Sequence, residues 1–191
     1  MEKTRFTRRE ALAGLLPAGL FGYSDDDLWK MLKDGNSLVF IRHAQTTPGV
    51  GDPPNMKLAD CSTQRNLDDT GRRQAAALGE AWRKRNLPIG RVLSSPWCRC
   101  IDTASLAFVR PPAIEPALGN VFGAQDRVAR QLAQLRPLVG VRPRRGNTVM
   151  VSHGSTILAM TKESLEPAEM LVVQPQGGEQ FKVMGRLRVA A

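Results

Sequence analysis

The sequence predicts an α/β fold organised on a parallel sheet. Two observations carry that expectation. First, short apolar runs that read as buried strands, Leu38–Ile41, Val92–Leu93 and Thr148–Ser152, alternate with stretches of helical periodicity. Strands covered on both faces read as continuous apolar runs rather than alternating ones. Second, chemistry-bearing residues stand directly behind these runs: Arg42 and His43 after the first, Arg99 a few residues past the second, and His153 after the third. In an open α/β sheet, ligands bind beyond the carboxyl ends of the strands.

The elements are expected in this order. Asp25 to Lys33 is a short helix with acids at its N-terminus, and Asp34-Gly35-Asn36 is a turn. The first strand follows and ends at His43. Thr47 to Asn66 is a long irregular stretch with Pro48, Gly49, Gly51, Pro53 and Pro54. A loop of that length inside a compact domain is usually functional, and this one is placed to shape a pocket beside His43. Thr70 to Arg85 is a helix with Asp68, Asp69 and Thr70 as its cap and Ala75, Leu78 and Trp82 on one face. After the strand at Val92–Leu93, Ser95 and Pro96 read as the cap and first position of a helix running to about Phe108. Ala113 to Glu115 is a small strand. Asp126 to Leu138 is a helix with Val128, Leu132, Leu135 and Leu138 as its apolar stripe. Ser155 to Lys162 is the last helix. Glu169–Val173 and Gln180–Leu187 are two strands joined by a turn at Gln176-Gly177-Gly178.

Composition narrows the setting without naming a reaction. The 191 residues suffice to bury ~70% of the unfolded chain's surface in one domain. Aromatics make up 5% of the chain, so the core is expected to be aliphatic. The net charge of +9 favours anionic partners. The bases are scattered, and no basic stripe interleaved with aromatics appears, so nucleic acid is not the expected partner. The two histidines and three cysteines lack zinc-finger spacing, so no structural metal is expected; no cofactor is expected either. Cys61 with either Cys98 or Cys100 permits one disulfide in an oxidising compartment. A Cys98–Cys100 pair is disfavoured, because residues two apart on a helix point to different sides.

Residues 1–22 read as an address, leaving residues 23–191 as the folded domain. Phe6-Thr7-Arg8-Arg9-Glu10-Ala11-Leu12 resembles a twin-arginine export signal, and an uncharged segment from Ala11 to Ser24 follows it. That segment is too short for an ordinary membrane span and fits a signal's apolar region. The expectation is a periplasmic or secreted protein, with no stable membrane insertion unless the signal is retained. A protein without a working signal would be cytoplasmic.

Arg42, His43, Arg99 and His153 converge if the three strands are parallel neighbours. In family order, four blocks accompany them: Arg42-His43-Ala44-Gln45-Thr46, Leu67-x-x-x-Gly71-x-x-Gln74-Ala75, Ser94-Ser95-Pro96-x-x-Arg99-x-x-x-Thr103-Ala104 and Val151-Ser152-His153-Gly154. Together they resemble the histidine phosphatase superfamily, the relatives of phosphoglycerate mutase, with Ala44 in place of a glycine. The resemblance implies a three-layer α/β/α fold with a mostly parallel central sheet. It implies a phosphatase acting on a phosphomonoester or phosphoramidate, either a phosphorylated small molecule or a phosphoprotein. His43 would be the nucleophile, with Arg42, Arg99 and His153 holding the phosphoryl oxygens. Gln45, Thr46, Arg65 and Gly154 join the expected phosphate-binding set, and Gln64 stands beside Arg65 in reach of distal substrate groups.

No motif places a proton donor. Asn120 stands where one branch of the family carries a glutamate, and Gly154 stands where the other carries an aspartate. Asp52, Glu115 and Asp126 are available but unplaced. A substrate with a good leaving group is therefore expected. The alternative reading is a non-catalytic relative that binds a phosphorylated ligand, with a basic nucleic-acid-binding protein a distant third. A mutase is disfavoured by the short chain, and Ser155 lacks the nucleophile elbow of a serine hydrolase.

Overall fold

A computed structural model describes residues 22–190. The twin-arginine motif and most of the apolar segment behind it lie outside the described residues. Six strands form one sheet in the order β3-β2-β4-β1-β5-β6. These are β1 (Leu38–Arg42), β2 (Ile89–Ser94), β3 (Ala113–Ile114), β4 (Asn147–Ser152), β5 (Met170–Gly177) and β6 (Gln180–Leu187). The first four are mutually parallel, whereas β5 runs antiparallel to both β1 and β6. The sheet is mostly parallel, with an antiparallel hairpin turned at Gly177 and Gly178, both in the left-handed region.

The first strand shows why three layers form. Leu38, Val39, Phe40 and Ile41 are all fully buried. Successive side chains on a strand point to opposite faces. Val39 and Ile41 join Leu28, Leu32, Leu78 and Trp82 on one side, which α1 (Asp25–Asp34), α2 (Asp69–Lys84) and α3 (Cys98–Phe108) cover. Leu38 and Phe40 join Leu132, Leu135, Met150 and Ile157 on the other, under α4 (Gln125–Gly140) and α5 (Gly154–Thr161). Each such side chain contributes about 1.5–3 kcal/mol by leaving water.

Helix starts follow local chemistry. Ser24 caps α1 through a reciprocal box with Asp27, and the Asp68 carboxylate accepts from the Gly71 amide at the start of α2. Gly71 also allows a close approach: a Cβ there would lie 2.0 Å from the Gln45 carbonyl oxygen. The expected start of α3 needs correction. The helix begins at Cys98, with Trp97 rather than Ser95 at the cap position. Ser95 accepts a long bond from the Trp97 amide at 3.4 Å, while the Gln64 side chain accepts from the Cys98 amide at 3.0 Å. The Ser95 hydroxyl is engaged with a histidine instead. Strands β2 and β5 are longer than their apolar runs suggested, because backbone pairing continues past the buried residues.

Candidate active site

Three parallel strand ends build the site. The Arg42 position pairs with Ser152, and Ser94 pairs with Val151, so β1, β4 and β2 finish side by side. The backbone continues the pairing one residue further. The His43 amide donates to the Ser152 carbonyl at 2.8 Å, and the Ser95 amide donates to the Val151 carbonyl at 3.0 Å. His43 and His153 thus lie edge to face with ring centroids 5.4 Å apart.

His43 is buried, and its Nδ1 lies 2.8 Å from the Ala44 carbonyl oxygen. A carbonyl only accepts, so Nδ1 carries the proton and Nε2 keeps its lone pair. Burial pushes the imidazole's pKa down to about 3, and the charges of Arg99, Arg42 and Arg65 push the same way against the Ala44 bond. Desolvation, not the arginines, is the leading cause of the neutral ring.

His153 is also buried, with its pKa lowered first by desolvation and then by Arg99 and His43. Arg99 Nη2 donates to its Nδ1 at 3.3 Å. The other nitrogen, Nε2, then carries the proton and donates to Ser95 Oγ at 2.8 Å.

Three guanidinium groups border a cavity of about 850 Å³ that both histidines line: Arg42, Arg65 and Arg99. Arg42 donates to the Leu165 carbonyl at 2.6 Å, and Arg65 donates to the Val50 carbonyl at 2.6 Å. Arg99 binds Asp52 through two bonds, Nη1 to Oδ1 at 2.8 Å and Nη2 to Oδ2 at 3.0 Å. The Nε atoms of all three arginines are buried without an acceptor among the described residues. A buried donor left unpaired costs about 1–3 kcal/mol, so this cluster favours an anion with several oxygens. Gly154, first residue of α5, keeps the floor open: a Cβ there would lie 3.3 Å from Arg42 Nε.

The fold is matched in known proteins. Residues 38–123 match the family model of the histidine phosphatase superfamily (branch 1). That stretch carries Arg42, His43, Arg65 and Arg99. Solved structures share the fold at low identity. Mycobacterial hydrolase 1 superposes with a TM-score of 0.60 at 19% identity, covering 82% of this chain and 100% of its own. A mycobacterial glucosyl-3-phosphoglycerate phosphatase gives 0.59 at 20% identity, covering 81% and 100%. A phosphoserine phosphatase from Entamoeba histolytica gives 0.57 at 14% identity, covering 81% and 97%. No curated protein sequence matches the chain.

Within this fold, the expected residues divide. Arg42, His43, Arg65, Arg99, His153 and Gly154 all line the cavity. Gln45 and Thr46 do not. The Gln45 amide donates to Gln74 Oε1 and its side chain donates to Asp68, so it secures the start of α2. Thr46 is buried in a short bridge with Leu67. Gln64 is also structural, tying Lys57 and Leu58 to the first turn of α3. Cys61 pairs with Cys98, with Cα atoms 5.7 Å apart, and Cys100 is a free thiol, so the Cys100 alternative is corrected. Burial pushes the Cys100 thiol up to about 12.

Among the unplaced acids, Asp52 enters the cavity. Glu115 instead caps the turn at Ala117, and Asp126 lies in the first turn of α4. Two participants escaped the sequence reading. Ser95 looked like a helix cap, and the Leu165 carbonyl that fixes Arg42 carries no sequence signal. Among the described residues, no group of three or more His, Cys, Asp or Glu is placed to hold a metal ion. No described helix is long and apolar enough to cross a membrane.

Proposed function

We propose that this chain hydrolyses a phosphomonoester or phosphoramidate through a phosphohistidine on His43. The state of His43 carries the reading. Its Nδ1 proton is held by the Ala44 carbonyl, which leaves Nε2 as a neutral nucleophile in a ring lining the arginine-bordered cavity. In the first step a bond forms from Nε2 to phosphorus, and the bond from phosphorus to the leaving oxygen or nitrogen breaks. Water then attacks phosphorus, the bond to Nε2 breaks, and its electron pair returns to the ring. Arg42, Arg65, Arg99, His153 and the amide of Gly154 bind the phosphoryl oxygens. Charge spreads over those oxygens in the transition state, so positioned donors supply most of the catalysis.

The substrate is a phosphorylated small molecule or a phosphoprotein. Arginine forks bind a phosphate in either context equally well. The deciding experiment is a trap with labelled phosphoryl donors. Wild-type protein should acquire an acid-labile label on His43 and release phosphate, and His43→Ala should do neither. Tight phosphate binding with no label and no turnover would instead support the non-catalytic relative.

We also propose export. Arg8-Arg9 and the uncharged segment behind them support a twin-arginine route to the periplasm or outside. The Cys61–Cys98 bridge suits an oxidising compartment. Cell fractionation tests this: the wild-type chain should leave the cytoplasm, and an Arg8→Lys, Arg9→Lys variant should stay there.

A further inference from the structure

A phosphomonoester with an alkyl leaving group departs as a strongly basic alkoxide unless it receives a proton. Few groups in the cavity can deliver one. His43 is the nucleophile and is neutral. The proton of His153 is directed at Ser95, away from Arg99. Guanidinium groups do not release protons in proteins. Asn120 lines the cavity, but its Oδ1 accepts from Ser155 Oγ at 2.7 Å and from the Phe122 amide at 3.0 Å, and an amide is no acid. Among the described residues lining the cavity, Asp52 carries the one carboxyl group.

Asp52 is held as a substrate's anion would be. Its two oxygens occupy the paired donors of Arg99, a side chain 1% exposed, while its own side chain is 19% exposed. The Arg65 amide adds a weaker bond at 3.3 Å. A phosphoryl group needs those same Arg99 donors. We propose that the incoming phosphoryl group displaces Asp52 from Arg99, and that the freed carboxyl then protonates the leaving group. The inference rests on the phosphatase reading above.

The loop suits the exchange. Asp52 follows Gly49 and Gly51, where an added Cβ would meet nothing within 4 Å. Further along, the same loop is anchored by Cys61 to Cys98, next to Arg99. The carboxyl can therefore leave its partner without leaving the cavity. Its acidity follows the partner. Burial raises the Asp52 carboxyl, and the Arg99 bonds and charge outweigh burial to hold it below the usual carboxylate range. Losing Arg99 and facing a phosphate dianion both favour the protonated form.

The proton balance closes. A proton from solvent or from a monoanionic substrate loads the freed carboxyl. As the Nε2–phosphorus bond forms and the phosphorus–oxygen bond breaks, that proton passes to the leaving oxygen and the alcohol departs. In the second half the Asp52 carboxylate accepts a proton from the attacking water. The phosphorus–Nε2 bond then breaks, releasing inorganic phosphate. The expectation of a good leaving group rested on the lack of a placed acid, and Asp52 removes that ground.

The test compares wild type and Asp52→Asn over a series of leaving groups, from alkyl phosphates through p-nitrophenyl phosphate to phosphoramidate. The variant should lose at least about 10²-fold in kcat/KM on alkyl phosphates and far less on p-nitrophenyl phosphate, giving a steeper dependence on leaving-group pKa. It should still form the His43 phosphoenzyme from phosphoramidate, which also shows that it folds. An equal loss on every substrate would overturn the proposal. So would a uniform gain, which would make Asp52 a mere occupant of Arg99, or a failure to label from phosphoramidate. If wild type neither labels His43 nor releases phosphate from any member of the series, the phosphatase reading fails and the inference falls with it.

Discussion

Ser95 Oγ, fully buried, lies 2.8 Å from Nε2 of His153. A hydroxyl can donate or accept, so Ser95 serves either tautomer of that ring. With Arg99 donating to Nδ1, Ser95 accepts from Nε2. In the proposed phosphatase, where a phosphoryl oxygen replaces Arg99 at Nδ1, the hydroxyl reverses and donates to Nε2, and Nδ1–H bonds to the phosphoryl oxygen rather than to the leaving group. Ser95→Ala removes this partner and leaves the buried Nε2 only the weaker Cys100 sulfur at 3.5 Å. The variant should lose about 1–3 kcal/mol of stability in urea denaturation. Its kcat should fall more than its KM rises, because His153 can still touch the anion but no longer hold the required tautomer.

The two histidines also make stability depend on pH. In the unfolded chain each takes up a proton near pH 6.5, whereas folded His43 does so near 3 and folded His153 well below 6.5. The unfolded state therefore binds more protons as pH falls, and stability falls with it. Between pH 6.5 and 4.5, His43 should contribute a slope of up to about 1.4 kcal/mol per pH unit, and His153 adds to it in the same direction. Urea titrations across that window check this, and His43→Ala should remove one histidine's share.

Gly71 sits where no side chain fits. Its absent Cβ would lie 2.0 Å from the Gln45 carbonyl oxygen, which is backbone and cannot step aside. Gly71→Ala should cost about 1–3 kcal/mol, as overpacking of a closed contact does. Chemical denaturation measures it. Because Gln45 directly follows His43 and Ala44, the shift should also lower kcat.

The Cys61–Cys98 bridge closes a separation of 37 residues between the cavity loop and α3. Reducing it should cost about 2–4 kcal/mol of stability. Substrate binding should weaken too, because the bridge joins the loop carrying Asp52 and Arg65 to the helix carrying Arg99. Thermal melts and KM values with and without dithiothreitol test both effects. A Cys61→Ser, Cys98→Ser variant should match the reduced protein.

Much of the cavity lining is legible in the sequence, for a physical reason. Arg42, His43 and His153 abut apolar runs, and a buried strand leaves its next residues at a sheet edge. The four blocks then set those edges together. Asp52 was not legible in that way. Its loop has no periodicity, and its partner Arg99 lies 47 residues on. Ser95 was misread because serine before proline is a good helix start, yet His153, 58 residues away, claims its hydroxyl. Gln45 and Thr46 share a block with His43, but the chain turns after Ala44 and spends them on α2 and on a bridge to Leu67. The choice between Cys98 and Cys100 depended on where α3 begins, and that start lies three residues past the apparent cap.

Strand β1 is hydrogen-bonded along both edges, to β4 on one side and β5 on the other, and its apolar residues are sealed from solvent. Its amides can exchange with deuterium only through the largest opening of the molecule. His43, the proposed nucleophile, inherits that protection, because its amide is itself bonded to the end of β4. Local fraying elsewhere therefore leaves the His43 ring where it is, while loss of its alignment requires loss of the pairing at the strand ends. Destabilised variants should contain a mixture of fully competent and fully inactive molecules rather than a uniformly impaired population. Turnover per folded molecule then stays constant, and the rate of catalysis becomes a count of how many chains are folded.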